Sequence, residues 1–187
     1  MADFNPCRAF RKLAYNNALA NYRLHQACAA LAPGEFEALR TSFFPSIKAT
    51  LNHILVVDWF YVDGLEGGSL GSEAWKVEEP CQTIGALAAE QARVDRRLVA
   101  VCERSTPETL ACVVNLHRGE RIQPVLMEDV LSHLFQHQTH HRGQVHAMLA
   151  GSSVKPPQLD EFIVADDSRF RGSELAALGW SETVLMS

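Results

Sequence analysis

Residues 133–144 read HLFQHQTHHRGQ and lie at the centre of a long predicted helix that covers about residues 126–150. An α-helix turns ~100° per residue, so His137 falls near ~20° and His141 near ~60° when residue 126 is taken as zero. The apolar residues of the segment share this stripe, whereas His146 falls near ~200°, on the opposite face. His137 and His141 are therefore predicted to point into a helical core.

Three further long helices are predicted from apolar residues that recur at helical spacing. They cover about residues 7–31, 46–64 and 83–103. Pro45 suits the first turn of the second helix, and Thr83 is the expected N-cap of the third. A β-rich run at residues 112–123 predicts a small hairpin before the last helix. Four long helices with long crossings indicate an all-α protein, a four-helix bundle.

The chain of 187 residues is long enough for one bundle domain, which we expect to cover residues 1–165. Residues 166–187 are then a C-terminal extension. The end of the chain carries the apolar side chains Phe162, Ile163, Val164, Trp180, Val184 and Leu185. Because this is too much apolar surface to leave in water, the extension is expected to pack on the bundle or on a dimer partner.

Composition narrows the class of protein and its partners. A formal net charge of -5 without a run of lysines or arginines argues against a nucleic-acid-binding surface. The five cysteines include no C-x-x-C pair, which suits free thiols in a reducing cytosol. Neither a secretory signal nor an apolar run long enough to span a membrane is visible. We expect a cytoplasmic protein whose partner is a small molecule.

Histidines in a helical core need polar partners, because an unpaired buried polar group costs roughly 1–3 kcal/mol. One interpretation is that each histidine forms a hydrogen bond with a side chain or a backbone carbonyl. The other is a metal site, since residues four apart on a helix bring their Cβ atoms within about 5–6 Å, close enough for His137 and His141 to share one ion. His53, on a helical stripe with Thr50 and Val57, is the candidate third ligand.

The pair also resembles the H-E-x-x-H motif of zinc peptidases. Gln138, however, stands where that motif has the glutamate that activates water. A neutral amide does not accept the proton, so peptidase chemistry is disfavoured.

Two segments carry a family resemblance: LNHIL at residues 51–55 with Asp58 shortly after, and HQTHHRGQ at residues 137–144. Together they resemble the DinB/YfiT-like family, whose most specific signature is the H-x-x-H-H-R-G-Q run. LANYRL at residues 19–24 and the segment 156–162, similar to the family's P-x-L-D, extend the resemblance over roughly residues 7–164.

The resemblance implies a four-helix bundle, often a homodimer, with a divalent metal ion held by three histidines. Matching the motif positions gives His53, His137 and His141 as the ligands. Three neutral nitrogens leave open positions on an ion, as catalytic sites do, and nickel, zinc or copper suits an all-imidazole site.

Asp58, His140 and Arg142 are candidates for a second layer around the ligands, because ligating histidines usually donate their other N–H to a nearby acceptor. Simple helix-surface polarity is the alternative for Asp58 and His140. Arg142 is expected either to pair with Asp58 or to receive an anionic substrate, and Gly143 is expected to let a neighbouring helix approach closely.

Two functions follow from the resemblance. The first is a metal-dependent enzyme acting on small molecules, since the relatives include transferases and isomerases that use a low-molecular-weight thiol; hydrolysis is a close variant. The second is a metal- or ligand-binding stress-response protein without turnover. A pocket with ionisable groups above the site would favour catalysis, whereas a face sealed by aromatic residues such as Trp59 and Phe60 would favour binding.

Overall fold

The computed structural model describes residues 5–160 and 164–187. Its helices are α1 (Pro6–Ala29), α2 (Ile47–Leu65), α3 (Ile84–Arg104), the short α4 (Pro107–Leu110), α5 (Met127–Leu149), α6 (Gly172–Leu178) and α7 (Glu182–Met186). The strands β1 (Val113–Arg118) and β2 (Arg121–Leu126) form an antiparallel hairpin that leads into α5. Two 3₁₀ turns cover Gly71–Trp75 and Ala165–Phe170. The predicted all-α four-helix bundle with a small hairpin before the last long helix is confirmed.

The four long helices form a square. α1 packs against α3 and α5, and α2 packs against the same two helices, so α1 and α2 lie on one diagonal. Each helix contributes leucines to one core, and Leu24, Leu55, Leu98 and Leu131 are at most 1% exposed. Burial of each such side chain stabilises the fold by about 1.5–3 kcal/mol. Within the described residues, no helix has the length and apolar character needed to cross a bilayer.

Hydroxyl side chains cap two of these helices. Thr83 Oγ1 accepts a hydrogen bond from the backbone N–H of Ala86 at 3.3 Å, which confirms the predicted cap of α3. At α2 the cap is Ser46, whose Oγ accepts from Ala49 at 3.0 Å. The helix thus begins after Pro45, as predicted, but Pro45 precedes the cap and does not occupy the first turn.

The β-hairpin extends past its predicted end at residue 123 and packs on α2. Its register pairs Val113 with Leu126. Gly119 has a φ of 67° and allows the tight turn between the strands. Leu116 is the buried residue of β1, and its side chain lies so close to Gly64 of α2 that a Cβ there would come within 2.6 Å of it. The glycine therefore sets the distance between α2 and the hairpin.

The end of the chain packs on α1 through both α6 and α7. Leu175 and Leu185 belong to the same buried core as the long helices, and the ring of Trp180 meets the edge of Tyr15 at 4.7 Å. Arg171 is fully buried and forms an ion pair with Glu182. Phe162 and Ile163, which were expected to add apolar surface here, lie outside the described residues.

Candidate metal centre

Three of the predicted site residues converge where α2 meets α5. His53 projects from α2, and His137 and His141 project from successive turns of α5. One ring nitrogen from each lies within 4.8 Å of the other two. The Nε2 atoms of His53 and His137 are 3.0 Å apart, and the ring centroids of His137 and His141 are 4.4 Å apart. The packing of α2 against α5 thus gathers three imidazoles from distant parts of the sequence.

Burial keeps these imidazoles neutral. His141 is only 8% exposed, and His53 and His137 are half-buried. Removal from water lowers the pKa of His53 to about 4 and that of His137 to about 3, and the nearby His141 adds to both shifts. Burial also lowers the pKa of His141, against a raising contribution from its hydrogen bond with Gln144. Neutral imidazole is the form that binds metal ions.

Gln144 orients one of the three rings. Its Oε1 accepts a hydrogen bond from His141 Nδ1 at 2.7 Å, which leaves the Nε2 lone pair of His141 free. The Nε2 of Gln144 contacts the exposed His140 at 3.3 Å, and the His140 ring meets His141 with centroids 4.8 Å apart. Gln144 was not among the residues predicted to support the ligands. The i, i+3 spacing from His141 along one helix was the signal available.

An aromatic side chain from the loop before α2 covers part of the centre. Phe44 stacks on His53 with centroids 4.2 Å apart and meets the ring of His141 at 5.5 Å. His137 Nδ1 is buried and has no hydrogen-bond partner among the residues that the structure describes. The Phe44 contact was not predictable from the sequence, because the residue stands in a loop without a periodic pattern.

Asp58 and Arg142 lie in a buried polar network beneath the centre. Asp58 Oδ2 accepts hydrogen bonds from Gln91 Nε2 at 2.6 Å and from Gln138 Nε2. The guanidinium of Arg142 donates to Gln138 Oε1 at 3.0 Å and to Asn21 Oδ1 at 3.1 Å. Within the described residues, neither Asp58 nor Arg142 forms a hydrogen bond with a histidine of the cluster. The two are not hydrogen-bonded to each other, but both contact Gln138.

This network ties the four long helices together behind the histidines. Asn21 is on α1, Asp58 on α2, Asp95 on α3, and Arg142 on α5, and all four are at most 6% exposed. Asn21 Nδ2 donates to the Asp95 carboxylate at 3.0 Å. Gln138 and Arg142 follow His137 and His141 by one residue, so the network fixes the backbone that carries these two rings.

Asp58 and Asp95 both lie near the charge of Arg142 in this network without a direct hydrogen bond to it, and both carboxyl groups are held out of water. Burial, with a further contribution from Asp95, raises the pKa of Asp58 to about 7. Burial likewise raises the pKa of Asp95 to about 6 and lowers that of Arg142 to about 10.

Gly143 does not have the role expected of it. A Cβ at this position would meet no atom within 4 Å, and the residue is exposed. The expectation that Gly143 admits a neighbouring helix was therefore wrong, because it stands on the solvent side of α5.

A groove of about 280 Å³ borders the centre at His53. Its walls are formed by Phe44, Ala49, Val56, Val57 and Trp75, with Glu78 and Glu79 among its lining residues. Glu79 is paired with Lys48 at 2.9 Å, whereas Glu78 is exposed. Trp59 and Phe60, the aromatic residues that were considered as a possible cover of the metal site, do not line this groove. Phe60 instead packs in a second core cluster with Leu116.

Comparison with known proteins agrees with this architecture. Residues 1–169 match the family model of the DinB family. The chain belongs to the DinB family. The resemblance inferred from residues 51–58 and 137–144 is thereby confirmed. No curated protein gave a significant match to this DinB-family chain.

Two solved structures share the fold. A DinB-like protein from Bacillus cereus is 17% identical and has a TM-score of 0.55, and the match covers 74% of this chain and 91% of that one. A DinB-like protein from Bacillus subtilis is 13% identical with a TM-score of 0.53, over 74% of this chain and 90% of that one. At these identities the likeness concerns the fold alone.

Proposed function

We propose that this DinB-family protein binds one divalent transition-metal ion through His53, His137 and His141 and is a metal-dependent enzyme acting on small molecules. The observation that carries the proposal is the convergence of three neutral imidazoles, with ring nitrogens within 4.8 Å of one another. Nickel and zinc are the favoured ions, since imidazole suits both.

The donor set fits such an ion. Two nitrogens that bind zinc tetrahedrally at 2.0–2.1 Å stand about 3.4 Å apart. The 3.0 Å between His53 Nε2 and His137 Nε2 is close to this separation. When bound, the ion supplies Lewis acidity at coordination positions that the three histidines leave open.

The chain's own residues would prepare the site for a substrate. The hydrogen bond from His141 to Gln144 holds the imidazole in the tautomer whose Nε2 is free. Phe44 excludes water from the face of His53 that it covers. The groove beside His53 offers Val57 and Trp75 to an apolar substrate and Glu78 to a polar group on it. These ionisable and apolar walls favour catalysis over a sealed structural centre.

A thiol-dependent transferase or isomerase is the reaction class that we favour, with hydrolysis as the variant. The thiol would come from a low-molecular-weight cofactor, because no cysteine among the described residues lines the groove. Cys28 and Cys102 are buried, and burial raises the pKa of each thiol to about 12. Neither is suited to act as a nucleophile.

A non-catalytic metal- or ligand-binding protein of the stress response is the alternative. The stacking of Phe44 on His53 and its contact with His141 favour this function, since they shield part of the centre. Catalytic turnover distinguishes the proposed enzyme from the non-catalytic binding protein.

A metal-dependence assay tests the enzymatic proposal. Protein stripped with a chelator and then refilled with nickel or zinc would be assayed for transfer of a small thiol to electrophilic acceptors, and for hydrolysis of small amides and esters. We expect turnover that disappears on stripping and returns on refilling. Full metal loading without turnover across the panel would support the binding protein, and turnover that survives stripping would contradict a metal-dependent enzyme.

A homodimer in the cytoplasm is also proposed, as the resemblance implies. Sedimentation velocity of the purified protein would give twice the mass of the 20.7 kDa chain. A single species at the monomer mass across micromolar concentrations would contradict the dimer.

A further inference from the structure

A second cavity, of about 130 Å³, lies between α1, α3 and the C-terminal segment. None of the three clustered histidines lines it. The cavity exists because small side chains face each other across the two helices and leave the volume between them unfilled. Ala18 of α1 lies opposite Ala88 and Ala92 of α3, which are one turn apart. Trp180, which follows α6, forms an aromatic wall. A cavity of roughly 150 Å³ holds one aromatic ring, so this one accepts a ligand of that size.

The polar side of the cavity contains a histidine without a partner. His25 is only 4% exposed, and its ring nitrogens form no hydrogen bond with any of the residues that the structure describes. His25 lines the cavity, and its ring nitrogens have no partner there among the described residues, so they are available to a ligand. Burial, with a smaller contribution from the charge of Arg142, lowers the pKa of His25 to about 4. The neutral ring therefore offers one N–H donor and one acceptor nitrogen.

Two charged groups complete the polar side. Asp95 is 5% exposed and lines the cavity from α3, where its Oδ2 receives a hydrogen bond from Asn21 at 3.1 Å. A carboxylate oxygen accepts more than one hydrogen bond, so Asp95 has capacity left for a ligand N–H. Arg96 is the next residue along α3 and is exposed, which leaves its guanidinium free to reach a ligand carbonyl from solvent.

We propose that this cavity binds a neutral, single-ring nitrogen heterocycle that carries a ring N–H beside a carbonyl, the class to which pyridones and pyrimidinones belong. The ring lies among the alanines and against Trp180. His25 donates to the ligand carbonyl, and Asp95 accepts from the ligand N–H. This binding site contains none of the three clustered histidines, although Asp95 also belongs to the network behind them.

Titration of the full-length protein with 2-pyridone, followed by tryptophan fluorescence and calorimetry, tests the proposal, and benzene serves as the apolar comparison. We expect saturable binding of 2-pyridone. Ala92→Leu fills the cavity and is expected to weaken binding at least tenfold, whereas Ala89→Leu, at an exposed position on the same helix, leaves it unchanged. His53→Ala is also expected to leave it unchanged, which distinguishes this site from the metal centre.

The variant His25→Phe separates a ligand-binding role from a structural one. Phenylalanine keeps the ring and removes the unpartnered nitrogens, so we expect a Tm equal to or above that of wild type together with at least tenfold weaker binding of 2-pyridone. A lower Tm with unchanged binding would mean that His25 is structural and would overturn the assignment. Absence of saturable binding to wild type, equal affinity for benzene, or binding that Ala92→Leu does not weaken would each overturn it as well.

Discussion

A single amide decides which nitrogen of His141 faces the other two imidazoles. Gln144 Oε1 can accept a hydrogen bond but cannot donate one. His141 Nδ1 therefore carries the proton, and Nε2 is left with a free lone pair. Such a contact sets both the tautomer and the ring orientation before an ion arrives. In this protein the acceptor is one turn away on the same helix, so the helix backbone holds both residues at a fixed spacing.

Gln144→Ala removes this acceptor and leaves the three histidines in place. We expect the affinity for a divalent metal ion to fall about 10- to 100-fold, because the His141 ring loses its fixed tautomer and orientation. Competition with a chromogenic chelator measures the affinity. Gln136→Ala, at an exposed position on α5, is the matched control. Equal affinities for the two variants would contradict the role given to Gln144.

The residues of the cluster were predictable to different degrees. His137 and His141 lie four apart on one apolar stripe, and a local pattern of this kind is visible in the sequence. His53 entered as a candidate through its own stripe and through the motif resemblance. Phe44 and the buried partners of Asp58 were out of reach, because they depend on side chains that meet only after the helices pack.

At the scale of the elements, the approach of the hairpin to α2 depends on a glycine. A Cβ at Gly64 would come within 2.6 Å of Leu116 Cδ2, and Leu116 is only 2% exposed, so it has little room to move. The long helices were predictable in extent because their apolar residues repeat. The start of α2 after Pro45 was predictable as well, whereas the capping role of Ser46 was not identified.

Gly64→Ala and Gly143→Ala are expected to have opposite effects on stability. The first overpacks the contact with Leu116 and should lower the free energy of unfolding by about 1–3 kcal/mol. The second meets no atom within 4 Å in the middle of α5 and should raise it by about 0.5–1 kcal/mol, since alanine costs less conformational entropy in a helix. Urea unfolding of both variants measures the difference. A neutral or stabilising Gly64→Ala would show that α2 and the hairpin are less tightly packed than described.

At the scale of the whole molecule, one buried network joins the four long helices behind the histidine cluster. Its two carboxyl groups have a raised pKa in the folded chain, so folding favours their protonated forms. Their stabilising contribution is complete below the unfolded pKa of 3.8 and is lost as the pH rises through about 6 to 7. The network as a whole was not predictable. Asp58 and Arg142 were recognised as candidates, but their partners on α3, Gln91 and Asp95, belong to no motif. The domain boundary at residue 165 stays a prediction.

Asp58→Asn replaces a titrating member of this network with a neutral one of the same shape. In metal-free protein, the stability of the variant relative to wild type should therefore rise between pH 5 and pH 8, by on the order of 2 kcal/mol. The buried histidines titrate in both proteins, so their opposite effect cancels in the difference. Urea unfolding at several pH values gives the two curves, and parallel curves would mean that the Asp58 carboxyl does not change protonation in this range.

Metal content of purified protein, measured by elemental analysis, tests the central claim most directly. Wild type would be compared with His53→Ala, His137→Ala, His141→Ala and the control His146→Ala, which changes a histidine outside the cluster on the same helix as two of the ligands. We expect near-stoichiometric divalent metal in wild type and in His146→Ala, and strong loss in the other three. Metal content that is unchanged in His53→Ala would contradict a site shared between α2 and α5.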